Sequence, residues 1–169
     1  MRGGAGKDTY VERYELQPID AQTNGPQLFY GLRNHTRIVK PGERETFHDQ
    51  VGYWLWEPAT GAVILTIALP RAQVAMAGGQ ADPGATSFEV SAQVGDPNFG
   101  IVTSPFLNHA FHTVSFRMRV SIESDAVWSY EQDTVLRVLG SHEEFHHTDR
   151  NTLRKLGEPA PNPMAQAPR

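Results

Sequence analysis

The sequence predicts an all-β protein, an antiparallel up-and-down β-barrel of about eight to ten strands with a short C-terminal helix. Three observations predict this fold class. Apolar and polar residues alternate with a period of two in many segments, whereas helical periodicity is scarce. Turn-forming residues separate these segments at short intervals. The length of 169 residues, 39% of them hydrophobic, suits one barrel with a sizeable core.

The clearest strand spans residues 112–122. Its even-numbered residues from Val114 onward are apolar and its odd-numbered residues are polar, so one face should be buried, and His112 shares that face. In chain order, the expected strands are 10–17, 27–39, 46–56, 62–69, 87–94, 99–103, 112–122 and 126–138. Glycine, proline, asparagine and aspartate cluster between them, as at Gly78-Gly79, which predicts turns.

The strand at 46–56 carries apolar residues on both faces. One face holds Phe47, Val51, Tyr53 and Leu55, and the other holds His48, Gly52, Trp54 and Trp56. Such a strand suits a barrel wall with the core on one side and an apolar cavity or a covering segment on the other. A central strand of a packed sandwich fits the alternation equally well.

The C-terminal part predicts a helix followed by a tail. Thr148 to Asn151 supply N-capping residues for a helix over 152–156, which Gly157 should end. The remaining segment contains four of the twelve prolines and little to bury. We therefore expect one domain over residues 1–156 and a disordered tail over 157–169.

The absence of cysteine restricts the chemistry most. A chain without cysteine has no disulfide, no thiolate-bound zinc or iron–sulfur cluster, no covalently attached c-type haem and no cysteine nucleophile. Any metal must then be held by imidazole and carboxylate groups. The candidates are the seven histidines, His35, His48, His109, His112, His142, His146 and His147.

Charge and hydropathy limit the partners and the location. The formal net charge of -4 argues against a protein that chiefly binds the phosphates of nucleic acid. No apolar run is long enough to cross a bilayer, and the segment MRGGAGKDTY lacks the apolar core of a secretory signal. The sequence therefore predicts a cytoplasmic protein with no membrane partner.

Residues 142–146 match the zinc-peptidase pattern H-E-x-x-H. In such enzymes the two histidines lie one helical turn apart and both reach zinc, and the glutamate polarises the bound water. Ser141 and Glu144 form a candidate capping box for that helix. The pattern is short, however, and lacks both a long helical frame and a third ligand. A polar connection is the favoured interpretation.

The other histidines carry weaker signals. His112 lies on an apolar face, where a hydrogen-bonded core histidine is commoner than a metal ligand. His35 and His109 lack partners at informative spacing, so we expect them to be solvated or structural.

Four segments resemble a known family when taken in order: TFHDQVGYWLWEPATGAV at 46–63, PRAQVAMAGG at 70–79, SPFL at 104–107 and FHHTDRNTL at 145–153. They are similar to the nitrobindin-like, haem-binding β-barrel family, whose barrel is also described as fatty-acid-binding-protein-like and belongs with the calycins and lipocalins. The resemblance extends to the haem-binding domain of a THAP protein. It covers most of residues 10–156 and is closest to a bacterial branch.

The resemblance implies a ten-stranded barrel that holds a non-covalent haem b in a solvent-accessible pocket. It further implies a ferric iron bound by a histidine before a short terminal helix, nitric oxide binding, and isomerisation of peroxynitrite to nitrate. The matching residue is His147, with its neighbour His146 as the fallback ligand. His48 is implied on the opposite side of the porphyrin, beside Phe47.

The start of the sequence differs from that of the family, and the sequence also allows a second function. Members usually begin with a short helix and a G-x-W-x-G strand, whereas this chain opens at MRGGAGKDT without that tryptophan. Either the start is misassigned or the first strand is truncated. The alternative function is a non-catalytic carrier or sensor of a fatty acid or another small apolar molecule. Its carboxylate anchor would be Arg33, Arg71, Arg117 or Arg119, although the last two fall on a polar face. A homodimer is compatible with the sequence.

Overall fold

The computed structural model describes residues 9–160, which form an eleven-stranded antiparallel sheet and one short helix. The elements are β1 (Val11–Pro18), β2 (Gln22–Asn24), β3 (Gln27–Val39), β4 (Thr46–Glu57), β5 (Ala62–Leu69), β6 (Gln73–Gln80), β7 (Ser87–Gln93), β8 (Ile101–Thr103), α1 (Pro105–Ala110), β9 (Phe111–Ser124), β10 (Val127–Val138) and β11 (Glu144–Arg154). Most strands pair with their neighbours along the chain, as expected for an up-and-down meander.

The sheet curls into a nearly closed barrel. Its main path runs β1-β3-β4-β5-β6-β7-β9-β10-β11, with β2 added beside β3 and β8 beside β6. Within residues 9–160 no backbone ladder joins the two end strands, β1 and β11. Side chains bridge them instead, since Asn151 on β11 donates to Glu12 on β1 over 2.8 Å. We call this line of contact the β1–β11 seam. The predicted fold class is confirmed.

The core lies inside the barrel and follows the alternation of the strands. On β5, Val63, Leu65 and Ile67 are buried, and they face the interior with Ala77 on β6. Aromatic rings fill the space between the walls. The Trp54 indole N–H donates to the Tyr14 hydroxyl over 2.8 Å, and the Tyr14 ring packs edge-to-face on Trp128 at 5.2 Å.

Period-two alternation located most strands well. The bounds of β3 and β5 agree with the predicted ranges 27–39 and 62–69, and the other predicted strands agree within two residues at each end. The prediction missed β2, β6 and α1. Helix α1 nevertheless carries a local signal, because Ser104 caps it by accepting from the Leu107 N–H and a proline follows at once.

The predicted C-terminal helix over 152–156 is wrong. Residues 144–154 form β11, and each of them pairs with a residue of β10. The capping signals at Thr148 and Gly157 are local and worth about 1 kcal/mol. Pairing with β10 gives the backbone of the whole segment its hydrogen bonds and partly buries Asp149, Asn151 and Leu153, which outweighs the local preference.

The expected Gly78-Gly79 turn is also wrong, because both glycines lie inside β6. At both positions, any side chain would collide with a neighbouring segment of the barrel. A Cβ atom on Gly79 would lie 1.8 Å from the Glu89 carbonyl oxygen, and one on Gly78 would lie 2.3 Å from the Phe99 ring. These glycines mark close approach between neighbouring segments rather than a change of chain direction.

A β-bulge changes the faces of β9. The pairing between β9 and β10 shifts between Val135 and Leu136, so the alternation predicted for 112–122 is broken near its start. Thr113 is buried there and donates to Gln73, whereas His112 contacts the Asn108 side chain at 2.7 Å. The prediction that His112 shares the buried face is therefore wrong.

Some predictions concern the ends of the chain. Residues 1–8 and 161–169 lie outside the described residues, so the truncated first strand and most of the disordered tail at 157–169 stay predictions. Between residues 9 and 160, no helix is both long and apolar enough to span a bilayer.

Candidate functional site

Two adjacent histidines of β11 point to opposite sides of the barrel wall. His147 pairs with Thr134 and shares a face with Asp149, whose carboxylate reaches the buried Tyr130 hydroxyl at 3.4 Å. That face is the interior. His146 pairs with Val135 and points outward, where its Nδ1 lies 2.9 Å from the Asp133 carboxylate. Of the two candidates, His147 is thus the inner one, and it remains solvent-accessible at one end of the barrel.

His48 lies at the same end, near the start of β4, and is half-buried. Its Nε2 contacts the Gln50 side-chain oxygen at 3.4 Å. Burial lowers the pKa of His48, and the nearby Arg71 and His147 side chains lower it further, whereas the Gln50 contact and the Asp149 carboxylate oppose this. His48 is therefore a neutral imidazole at pH 7, and it lies close enough to His147 for the two rings to interact electrostatically.

Phe47 lies at the mouth of this end. The pairing of β3 with β4 shifts beside it, and its side chain is 44% exposed. The Arg71 guanidinium donates to the Phe47 carbonyl over 2.9 Å, which fixes a positive charge at the mouth. The other predicted anchors do not lie there. Arg117 and Arg119 pair with Glu89, and Arg33 donates to Gln17.

A buried polar cluster lies next to His147 on the β1–β11 seam. Glu12 accepts hydrogen bonds from the Tyr130 hydroxyl and the Asn151 amide, each over 2.8 Å. The Tyr10 hydroxyl donates to Asp149 and lies 3.2 Å from the Tyr130 hydroxyl. Burial raises the pKa of both tyrosines and of Glu12. The two phenols therefore act as neutral hydrogen-bond donors that join the edges of the sheet.

We expect Glu12→Gln to change how stability depends on pH. Because the folded state holds the Glu12 pKa above its ordinary value of 4.5, wild-type stability should fall as the pH rises through that raised pKa. A glutamine keeps an oxygen that accepts from Tyr130 and Asn151 but cannot ionise. Urea denaturation between pH 4 and pH 8 should show a smaller decline for the variant, which should be the more stable protein at pH 7.

The matched control for this prediction is Glu131→Gln, because Glu131 is exposed on the outer face of β10. Its pH profile should follow the wild type. If the stability of Glu12→Gln changed with pH as that of wild type does, ionisation of the Glu12 carboxylate would not destabilise the folded protein.

The zinc-peptidase pattern does not form a zinc site. His146 lies in a strand and His142 in the bend before it, so the two imidazoles are not one helical turn apart on one face. The Ser141 hydroxyl contacts the backbone of Glu143 instead of capping a helix. No cluster of three metal-ligating side chains occurs in the part of the chain that the structure describes.

The interior has the chemistry that a non-covalent haem requires. This end supplies two imidazoles, His48 on β4 and His147 on β11, and aromatic side chains line the interior beyond them. Deeper inside, Asn34 is 1% exposed and neither polar atom of its side chain has a partner within residues 9–160. A buried amide in that state calls for a bound polar group or water. The side chains at this end, His147 and His48 with the aromatic residues next to them, are thus of the kinds that hold a non-covalent haem.

Comparison with known proteins agrees with this fold and interior. Residues 3–155 match the model of the THAP4-like, heme-binding beta-barrel domain. The chain therefore belongs to this family, which is a haem-binding one. A crystal structure of Rv2717c from M. tuberculosis has the same fold, with a TM-score of 0.52 and 18% identity over 86% of this chain and 80% of that one. No curated protein sequence gives a significant match.

Sequence reasoning missed the seam cluster. Its members Asp149 and Asn151 alternate with His147 along one face of β11, and that pattern is visible once 145–153 is taken as a strand. Because a helix was predicted after Thr148, this alternation was not recognised. Glu12 and Tyr130 carried no signal of their own, because only closure of the barrel brings them together.

Proposed function

We propose that the protein binds haem b at the open end of the barrel, where His147 would hold the iron. The observation that carries this proposal is the position of His147, an inward, solvent-accessible imidazole in a family that binds haem. The second imidazole, His48, supports it because burial keeps that ring neutral and able to contact a bound molecule.

The bound haem iron would supply the site at which nitric oxide binds and peroxynitrite isomerises to nitrate. The protein contributes three things of its own. His147 fixes the position of the group from the β11 wall, with its backbone held by pairing to Thr134. His48 would line the site from β4, and the aromatic interior around Trp54 and Trp128 would keep water from its apolar part.

A carrier of an apolar carboxylate remains the second candidate, and one observation favours it. Arg71 holds a guanidinium at the mouth of the same end, where it is exposed and fixed to the Phe47 carbonyl. A guanidinium in this position suits a fatty-acid carboxylate. The Arg71 guanidinium would equally suit the propionates of a haem. The two candidate functions are therefore distinguished by which ligand the protein binds.

Titration of the purified protein with hemin tests the proposal. We expect a Soret band that saturates at one haem per chain, a shift of that band when nitric oxide is added, and faster decay of peroxynitrite with nitrate as product. A parallel titration with a long-chain fatty acid is the control. Stoichiometric fatty-acid binding without any saturable Soret band would reject the haem proposal in favour of the carrier.

A further inference from the structure

Two of the three tryptophans and three of the five tyrosines form one continuous run of contacts through the barrel. The Trp54 indole N–H on β4 donates to the Tyr14 hydroxyl on β1 over 2.8 Å. The Tyr14 ring packs edge-to-face on Trp128 of β10 at 5.2 Å, and the ring centroids of Trp128 and Tyr130 are 6.0 Å apart. The Tyr130 hydroxyl lies 3.2 Å from the Tyr10 hydroxyl. We call these five side chains the aromatic run.

The aromatic run connects the core with the protein surface. Trp54 packs against the core cluster that contains Leu65, and Tyr130 is only 5% exposed. Tyr10 is partly exposed and lies on the β1–β11 seam, where its hydroxyl also contacts the Arg150 carbonyl oxygen at 3.4 Å. One end of the run is therefore in the interior and the other is in contact with solvent.

The chemistry of these side chains distinguishes the run from ordinary core packing. An indole or a phenol can lose one electron to a strong oxidant and regain it, whereas the aliphatic and phenyl side chains that fill most of a core cannot. Because the rate of electron transfer falls steeply with distance, side chains in direct contact exchange electrons fastest. The aromatic run is therefore an unbroken series of oxidisable groups.

The two phenols at the seam also have proton acceptors. A phenol becomes strongly acidic when it loses an electron, so its oxidation is easiest with a base within hydrogen-bond distance. The Tyr130 hydroxyl donates to the Glu12 carboxylate over 2.8 Å, and the Tyr10 hydroxyl donates to Asp149. The Tyr14 hydroxyl instead accepts from a neutral indole. A radical formed in the run should therefore reside at the seam.

We propose that the aromatic run is an electron-transfer path that carries oxidising equivalents from the interior of the barrel to the β1–β11 seam. When a small one-electron oxidant removes an electron from Trp54, an electron from Trp128 replaces it through the Tyr14 ring between them. Tyr130 then gives an electron to the Trp128 radical cation and its phenol proton to the Glu12 carboxylate. The products are an intact Trp128, a neutral Tyr130 phenoxyl radical and a protonated Glu12, so charges and protons balance.

The last step brings the radical to the surface. A hydrogen atom moves from the Tyr10 hydroxyl to the Tyr130 oxygen across their 3.2 Å contact, which leaves the phenoxyl radical on Tyr10. A thiol or ascorbate in the solvent restores Tyr10 by giving up a hydrogen atom, and Glu12 returns its proton to the solvent. The path consists of the chain's own side chains, so it operates with or without the haem proposed above.

Pulse radiolysis of the full-length protein without haem tests the proposal. The probe is the azide radical, which takes one electron from a tryptophan and becomes the azide anion. We expect the absorbance of the indole radical to decay at the rate at which the absorbance of a phenoxyl radical grows, with a rate constant that does not depend on protein concentration. Because the protein contains no haem in this experiment, its failure and the failure of the hemin titration are separate results.

Tyr130→Phe should abolish the delayed growth of the phenoxyl signal and prolong the life of the indole radical, because phenylalanine keeps the ring but is not oxidised. The matched control is Tyr53→Phe. The Tyr53 side chain is 43% exposed on the face of β4 opposite Trp54, outside the aromatic run, so this variant should behave like wild type. Circular dichroism should show that both variants fold.

Glu12→Gln tests the proton acceptor without changing the rings. The glutamine oxygen still accepts from Tyr130 but does not take up the proton, so in slightly alkaline buffer the phenoxyl signal should grow at least about tenfold more slowly. Glu131→Gln, on the outer face of β10, should match wild type. The proposal is overturned if wild type shows no delayed phenoxyl signal or if that signal survives in Tyr130→Phe, and an unchanged rate in Glu12→Gln overturns the proton step.

Discussion

Replacing His147 by alanine should weaken haem binding by at least about 100-fold and abolish the Soret band at micromolar protein. The reason is that His147 is the inward imidazole of β11, so its loss leaves a bound haem without the residue that holds its iron. Even groups one step removed from a metal ligand contribute about 10- to 100-fold to affinity. The measurement is a hemin titration followed by absorbance, compared with wild type under the same conditions.

His146→Ala is the matched control, because it removes the neighbouring imidazole from the outer face and costs only a partly exposed ion pair with Asp133. Its titration should overlay that of wild type. A second variant, His147→Gly, should regain a Soret band when free imidazole is added, which a merely misfolded protein would not do. If His146→Ala lost haem and His147→Ala kept it, the assignment of the ligand would be reversed.

Gly79→Ala should lower the free energy of unfolding by at least about 3 kcal/mol. The added Cβ would lie 1.8 Å from the Glu89 carbonyl oxygen, and both atoms belong to paired backbone that cannot move apart without breaking the contact between β6 and β7. Urea denaturation followed by tryptophan fluorescence measures the loss.

Gly157→Ala serves as the control for this prediction. No atom lies within 4 Å of the position that its Cβ would take, and the residue follows the last strand. We expect its stability to stay within about 0.5 kcal/mol of wild type. An unchanged Gly79→Ala protein would mean that the two strands approach less closely than the structure shows.

The sequence predicted the strands whose own residues decide their structure. In β5, a nearly continuous apolar run lies between Gly61 and Pro70, so the limits of the strand were visible in the sequence. The segment of β6 was not recognised, because its alanines and glycines have low strand propensity and are small only because β5 and β7 approach closely. That requirement arises from residues far away in the chain.

The candidate site was predictable only in part. The resemblance singled out His147 and His48, and the structure brings both to one end of the barrel. The residues alone could not decide between His146 and His147, because that choice depends on the register between β10 and β11. The seam cluster of Glu12 and Tyr130 spans more than a hundred positions of sequence, so no local pattern could reveal it.

The β1–β11 seam also decides where the barrel wall yields first. At every other junction of the main path, widening the barrel breaks backbone hydrogen bonds, although β6 and β7 are joined at only two residue pairs. At the seam it breaks only a few side-chain contacts between Glu12, Asn151 and their neighbours. Backbone hydrogen bonds thus run around the wall without a break except at the seam. Local opening should therefore occur first at the seam. Amide hydrogens of β1 and β11 that face the seam should exchange with solvent before those of β5.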